Sequence, residues 1–186
     1  MIKKVLYFIK ARIRKYLLDE IWLEDYMKLG MKVGKNCSIQ PQVTFDYSHC
    51  WLISIGDNVT IAPQAYLLAH DASTKRRLNY AKVGSIVIED NVFIGARAIV
   101  MPGVTIGQSS IVAAGSVVTK SVPEGCVVAG NPARLIMKVE EYLDKMRDKL
   151  ETSDIYGDEY TILGEITIEK KAEMYASLIN KLGFVK

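Results

Sequence analysis

The sequence predicts an all-β core, a parallel β-helix of about four triangular coils, with α-helices at the N-terminal and C-terminal ends. Three observations lead there. Aliphatic residues recur at every sixth position, a second small or aliphatic residue stands two places before each, and the corners between them are short and rich in small residues.

The repeat is plainest at Ile88, Ile94, Val100, Ile106, Val112 and Val118. No helical period gives six. Their partners Ile86, Val92, Ala98, Val104, Ser110 and Ser116 make each unit an inward, outward, inward triplet, because successive side chains of a strand point to opposite faces. The corners GAR, MPG, GQS and AAG suit sharp turns and close backbone approach. Three strands and three corners close a coil of eighteen residues. The same phase runs through Val33, Ile39 and Phe45 with Met31, Cys37 and Val43, and through Ile55, Ile61 and Leu67 with Ile53, Val59 and Ala65. Twelve sides, or four coils, result.

Two insertions, 46–52 and 68–85, interrupt the repeat, each after three complete sides, so both leave the same corner of the triangle. Counting on in eighteens, Met101–Gly103 and Thr119–Ser121 occupy that corner next. A cleft along this edge is expected to collect His70, Asp46, Trp51 and Lys120. A second corner places Ala96 below Ala114 and leaves a smooth groove. Outward Phe93 and Ile111 share one face and Ile99 and Val117 another, and apolar outer faces need cover from terminal helices or other subunits.

The organisation follows. Residues 1–30 form an amphipathic helical segment, 31–132 the β-helix, and 133–186 a helical segment. Ile2, Leu6, Ile9, Ile13, Leu17 and Ile21 make an apolar stripe flanked by Lys3, Lys4, Lys10, Arg12, Arg14 and Lys15, a helix that packs on its own protein or lies weakly on an anionic membrane surface. At the other end Ile136, Val139, Leu143, Met146 and Leu150, then Ala172, Tyr175, Ile179 and Leu182, have helical spacing, with a loop or lid-like connection between.

Composition narrows the class. With 24 basic and 21 acidic residues the net charge of +3 gives no nucleic-acid signature. Three cysteines without a CxxC pair indicate neither a disulfide framework nor a zinc site, and a cytoplasmic location is expected. The apolar run Val5–Ile9 is too short for a signal core. Ala98–Thr119 is uncharged and long enough to span a bilayer, but Pro102, Gly103, Gly107 and Gly115 argue against a membrane helix.

Over roughly residues 31–124 the repeat resembles the hexapeptide-repeat acyltransferases, and LLAHDAST, GSVVTK and GNPAR resemble their sugar O-acetyltransferase branch (maltose, galactoside and capsule acetyltransferases). Ala113 departs from that branch, which has glycine there. The resemblance implies a left-handed β-helix, against the usual crossover rule. It also implies acetyl-CoA as co-substrate and a homotrimer with active sites between neighbours. His70 takes the place of the general base, a role suited to imidazole near neutral pH. Ala96 and Ala114 take the places that bind the pantetheine arm, and Thr119, Lys120 and Arg134 those near CoA's phosphates and adenine end, with Lys138 a weaker candidate.

Asp46 and Trp51 pair a carboxylate with an aromatic face, a combination suited to a sugar. His49 and Asp71 are further candidates for substrate contact. The group that orients His70 is left open between a backbone carbonyl, Asp71 and another carboxylate. A thioester already carries a good leaving group, so no metal is required.

The expected function is O-acetylation of a sugar or glycan precursor. N-acetylation of an amino sugar and O-acetylation of serine are alternatives, and a non-catalytic β-helix scaffold is the non-enzyme one. A zinc carbonic anhydrase of this fold needs three histidines, and the chain has two.

Overall fold

The computed structural model describes Ile9 and residues 21–186. Most of the basic stripe read over residues 2–23, and with it the membrane-surface reading, lies outside the described residues. Of the 1–30 segment the described part holds a short helix, Leu23–Lys28, whose Tyr26 is buried. Among the described residues no helix is long and apolar enough to cross a membrane. The chain divides into two compact units between Val139 and Glu140.

The first unit holds three sheets of very short parallel strands. One joins Lys32–Val33, Ile53–Ile55, Ile86–Ile88 and Thr105–Ile106. The second joins Ser38–Ile39, Thr60–Ile61, Phe93–Ile94, Ile111–Val112 and Cys126–Gly130. The third joins Thr44–Phe45, Tyr66–Leu67, Ile99–Val100 and Val117–Val118. Phe93 pairs with Ile111 and Ile99 with Val117, each eighteen residues on. The two insertions are absorbed without loss of register: Thr44 still pairs with Tyr66, and Tyr66 with Ile99.

Inward positions form the core. Ile61, Leu67, Ile86, Ile94, Val100, Ile106 and Val112 are fully buried. Ser110 and Ser116 are buried too, and both are hydrogen-bonded, as buried hydroxyls must be. Ser110 Oγ donates to the Pro123 carbonyl and accepts from the Cys126 amide, while Ser116 Oγ accepts from the Gly130 amide. The repeat changes to serine where the last side of the helix is laid down.

Corners share a backbone device. Asn36, Gln42, Asn58, Gln64, Asn91, Arg97 and Ser109, each immediately before a triplet, have positive φ. Asparagine tolerates that region best among non-glycine residues. Their side chains form ladders from coil to coil: Asn36 Nδ2 donates to Asn58, Gln64 Nε2 to Gln42 and Arg97 Nε to Gln64. Gly95 is fixed by proximity instead, since a Cβ there would lie 2.4 Å from the Ala114 nitrogen.

The C-terminal reading needs correction at its start. Ala133–Lys138 is a strand antiparallel to Cys126–Gly130, and the helix begins only at Val139 and runs to Thr152. Ile136 fits the helical stripe by spacing alone. After the turn at Asn131-Pro132 the chain folds back where the open edge of Cys126–Gly130 offers hydrogen-bond partners.

In the second unit the connection read as a loop carries the strand Asp154–Tyr156, paired in parallel with Gly183–Val185. The helix Ile168–Ser177 ends before Ile179 and Leu182, and Tyr175 is exposed, so the second stripe is not a buried helical face. Thr167 caps that helix by accepting from the Lys170 amide. The unit centres on buried Tyr156, whose ring lies 4.9 Å from that of Tyr160 and whose hydroxyl meets Ser177 Oγ.

Ile94 is fully buried within the core cluster, so Ile94→Ala is expected to cost about 2–5 kcal/mol, the range for large-to-alanine core changes. The midpoint of a denaturant titration, with an unchanged slope, measures it.

Candidate active site

The site is built where the third sheet meets the two insertions. Phe45 pairs with Leu67, and the Asp46 amide donates to the Leu67 carbonyl at 3.0 Å. The β-helix itself therefore sets Asp46 against the start of the second insertion. Asp46 then starts a 3₁₀ segment, Tyr47–Leu52, by accepting at Oδ1 from the amides of Ser48 and His49 at 3.0 and 3.2 Å. Its side chain is about 1% exposed. A carboxylate this buried needs further partners.

The partner of Oδ2 is His70 Nδ1, in a short hydrogen bond. An ionised carboxylate only accepts, so in a neutral imidazole bonded to it Nδ1 carries the proton and Nε2 keeps its lone pair. The orienting group left open in the sequence is thus another carboxylate, Asp46. His70 lies at the start of a two-stranded antiparallel hairpin, His70–Asp71 with Lys82–Val83, closed by a 3₁₀ turn, Ala72–Thr74, and a one-turn helix, Lys75–Leu78. The second insertion is a folded hairpin, and Thr74 Oγ1 fastens it by donating to the Tyr80 carbonyl.

Asp71 faces away from this pair. Its carboxylate accepts from Lys82 Nζ at 2.6 Å and from the Ser73 amide at 2.8 Å. The Lys82 ammonium, then the Ser73 amide, hold its carboxyl down at about 2. It locks the hairpin that carries His70.

His49 lies between two rings, 5.0 Å from the centroid of His70 and 5.3 Å from that of Trp51. Its Nδ1 is buried, 4.0 Å from Asp46 Oδ1, and makes no hydrogen bond. Trp51 is 55% exposed. Neither residue lines the cavity of about 730 Å³ that opens beside Asp46 and His70. Trp22, Gln42, Tyr47, Ser48 and Tyr66 line it instead. Tyr66 was legible as an outward aromatic one place before Leu67, whereas nothing local marks Trp22 or Gln42.

The other expected residues fall on corners or on the Ala133–Lys138 strand. Thr119 and Lys120 are exposed on the same edge as His70, in the stack formed by Leu68 donating to Val100 and Met101 to Val118. Ala96 and Ala114 lie on the second corner, where the Gly115 amide donates to the Ala96 carbonyl. Arg134 is exposed on the Ala133–Lys138 strand, and Lys138 Nζ points to Cys126 Sγ at 3.5 Å. All three cysteines are free, and burial pushes the Cys50 thiol up, away from nucleophilic use.

A β-helix of six-residue sides with an imidazole backed by a buried carboxylate at one corner defines a class, the acyltransferases built on hexapeptide repeats. Residues 85–120 match the family model described as the hexapeptide repeat of succinyl-transferase. The chain is 36% identical over 141 residues to the "Putative acetyltransferase YvoF" of Bacillus subtilis (strain 168), covering 76% of this chain and 79% of the relative. It is 35% identical over 130 residues to the galactoside O-acetyltransferase of Escherichia coli (strain K12), covering 59% and 64%. A crystal structure of a hexapeptide-repeat acetyltransferase from Vibrio cholerae O1 biovar eltor, complexed with acetyl coenzyme A, superposes with a TM-score of 0.53. It has 28% identity and covers 69% of this chain and 84% of that one. The chain belongs to the hexapeptide-repeat acetyltransferase family, and its β-helix is left-handed.

Asp71 gives this site a measurable signature. Its folded value lies below the ordinary 3.8, so the Lys82 pair contributes stability fully above that value and loses it as pH falls towards about 2. Following the Asp71 carboxyl carbon by NMR during acidification should find it titrating near 2, and moving up towards 3.8 in Lys82→Met.

Proposed function

We propose that the protein is an acetyl-CoA-dependent O-acetyltransferase that acts on a hydroxyl of a sugar or glycan precursor by direct transfer, with His70 as general base. The observation that carries this reading is the buried Asp46 carboxylate on His70 Nδ1. It fixes the tautomer whose Nε2 accepts a proton and stabilises the imidazolium that results, the division of labour known from serine hydrolase triads.

The step balances on these groups. The acceptor hydroxyl gives its proton to Nε2 as its oxygen attacks the thioester carbonyl. A tetrahedral oxyanion forms, the carbon–sulfur bond breaks, and the departing thiolate takes the proton back from Nε2. Asp46 stays ionised throughout.

The cavity beside His70 supports a sugar acceptor. Trp22, Tyr47 and Tyr66 offer rings for the apolar face of a pyranose, and Gln42 and Ser48 offer hydrogen bonds for its hydroxyls. The relative that O-acetylates galactosides and the neighbour complexed with acetyl coenzyme A support the same acceptor and donor. Small residues at Ala96 and Ala114 leave backbone groups open to a pantetheine arm, and Thr119, Lys120 and Arg134 are cations and a hydroxyl exposed enough to meet CoA's phosphates.

A homotrimer is part of this reading, with the site completed by a neighbouring subunit. Phe93, Leu135 and Ile136 support it, since all three are exposed large apolar side chains on the second sheet. Work on a cytoplasmic, glycan-building substrate fits the three free cysteines.

Release of free thiol from acetyl-CoA across a panel of sugars tests the reading. His70→Ala should lower kcat by roughly 10²–10⁴-fold, the usual worth of a general base, while acetyl-CoA binding measured by calorimetry is kept. Full turnover in His70→Ala would refute the base assignment. In a separate comparison, Asp46→Asn should depress kcat with little change in KM for acetyl-CoA, because the amide no longer fixes the base-competent tautomer.

A further inference from the structure

The two insertions bring together three metal-ligating side chains that are scattered in the sequence. Asp46, His49 and His70 each present one ligand atom, and these atoms lie within 4.8 Å of one another. Two of the ligand positions approach the same carboxylate at different oxygens: His70 Nδ1 meets Oδ2, and His49 Nδ1 stands 4.0 Å from Oδ1.

His49 Nδ1 is the informative atom. It is buried and has no hydrogen-bond partner, while the carboxylate oxygen nearest to it is already committed to the amides of Ser48 and His49. A buried polar nitrogen left unmatched costs free energy, and a ligand at this point removes the cost. The Trp51 ring packs beside His49, with 5.3 Å between the ring centroids.

We propose that Asp46, His49 and His70 form a site for a divalent transition-metal ion of the zinc type, and that occupancy switches the transferase off. Two imidazoles and a carboxylate with an open fourth position make a donor set suited to zinc, at bond lengths of about 2.0–2.2 Å that small side-chain rotations reach from here. The sequence has no third histidine, and the third ligand is the carboxylate that the β-helix places between the other two.

Inhibition rests on the general-base reading of His70 and follows from its tautomer. In the active pair Nδ1 holds the proton and Nε2 the lone pair. A metal on Nδ1 needs that nitrogen's lone pair, so the Nδ1 proton leaves, one is taken up at Nε2, and the ring stays neutral. The nitrogen that accepts the hydroxyl proton then bears one of its own. One imidazole cannot serve the ion and the acceptor together.

The test uses the full chain, freed of metal with a chelator that is then removed. Equilibrium dialysis against Zn²⁺ should find one ion per chain, with inhibition of thiol release following occupancy and reversed by chelator. His49→Gln should bind at least roughly tenfold more weakly, the lower end of what even outer-shell changes cost, with an unchanged thermal midpoint in chelator. Co²⁺ in the wild-type protein supplies a readout independent of any variant: visible bands of a nitrogen and oxygen site are expected. A thiolate charge-transfer band would put the ion on a cysteine and overturn the proposal. So would equal binding by His49→Gln and wild type, or no stoichiometric binding. If zinc binds through His49 but His70→Ala keeps full turnover, the metal site stands and the general-base reading fails.

Discussion

Closure of each coil by three short sides and three corners is the constraint on which the rest of the structure depends. Once three short sides and three corners close, every side sits above its counterpart, and its amides reach the carbonyls of the next coil: Tyr66 donates to Ala98, Ile99 to Ser116, Phe93 to Ser110. The interior is then a narrow prism that admits one aliphatic side chain per inward position. Corners must meet without bulk, which is why Gly95 faces the Ala114 backbone and why positive φ recurs before the triplets. Hydrogen bonds and packing here specify the same register, and that agreement between levels is what makes a sequence select one fold.

The same closure makes the active site possible. An insertion can leave one corner and return without disturbing the coils, so the loops carry chemistry while the scaffold holds their roots. Asp46 and His70 are 24 residues apart in sequence, yet one backbone hydrogen bond from Asp46 to Leu67 sets their separation. The buried carboxylate then does three jobs: it starts the Tyr47–Leu52 turn, fixes the tautomer of His70, and faces His49. The first two jobs satisfy lone pairs that burial would otherwise leave unpaired.

Much of this was legible because the β-helix writes its geometry as a fixed period. The triplets, the edge shared by both insertions, and the meeting of Asp46 with His70 on that edge could all be counted from the chain. Side-chain direction could not. Asp71 neighbours His70, but alternation along the strand sends it to Lys82, and only the fold shows that Asp46 is the carboxylate that reaches the imidazole. Ile136 was misread because spacing of three and four is compatible with an exposed strand as well as with a helix. The cavity lining was hidden for a different reason: Trp22 comes from outside the repeat, where no period predicts its position.

The way the coils end has a consequence for solubility. A stack of parallel coils is an open-ended template, because its last turn presents unpaired amides and carbonyls to any extended chain, including another copy of itself. Cys126–Gly130 extends the second sheet by one strand, and Ala133–Lys138 then runs back across it in the opposite direction. Ser110 and Ser116 anchor that reversal from inside the core. The serines that interrupt an otherwise aliphatic repeat thus hold in place, on that side of the triangle, the strand from which the chain reverses, so that the next strand runs against the parallel stack and does not continue it.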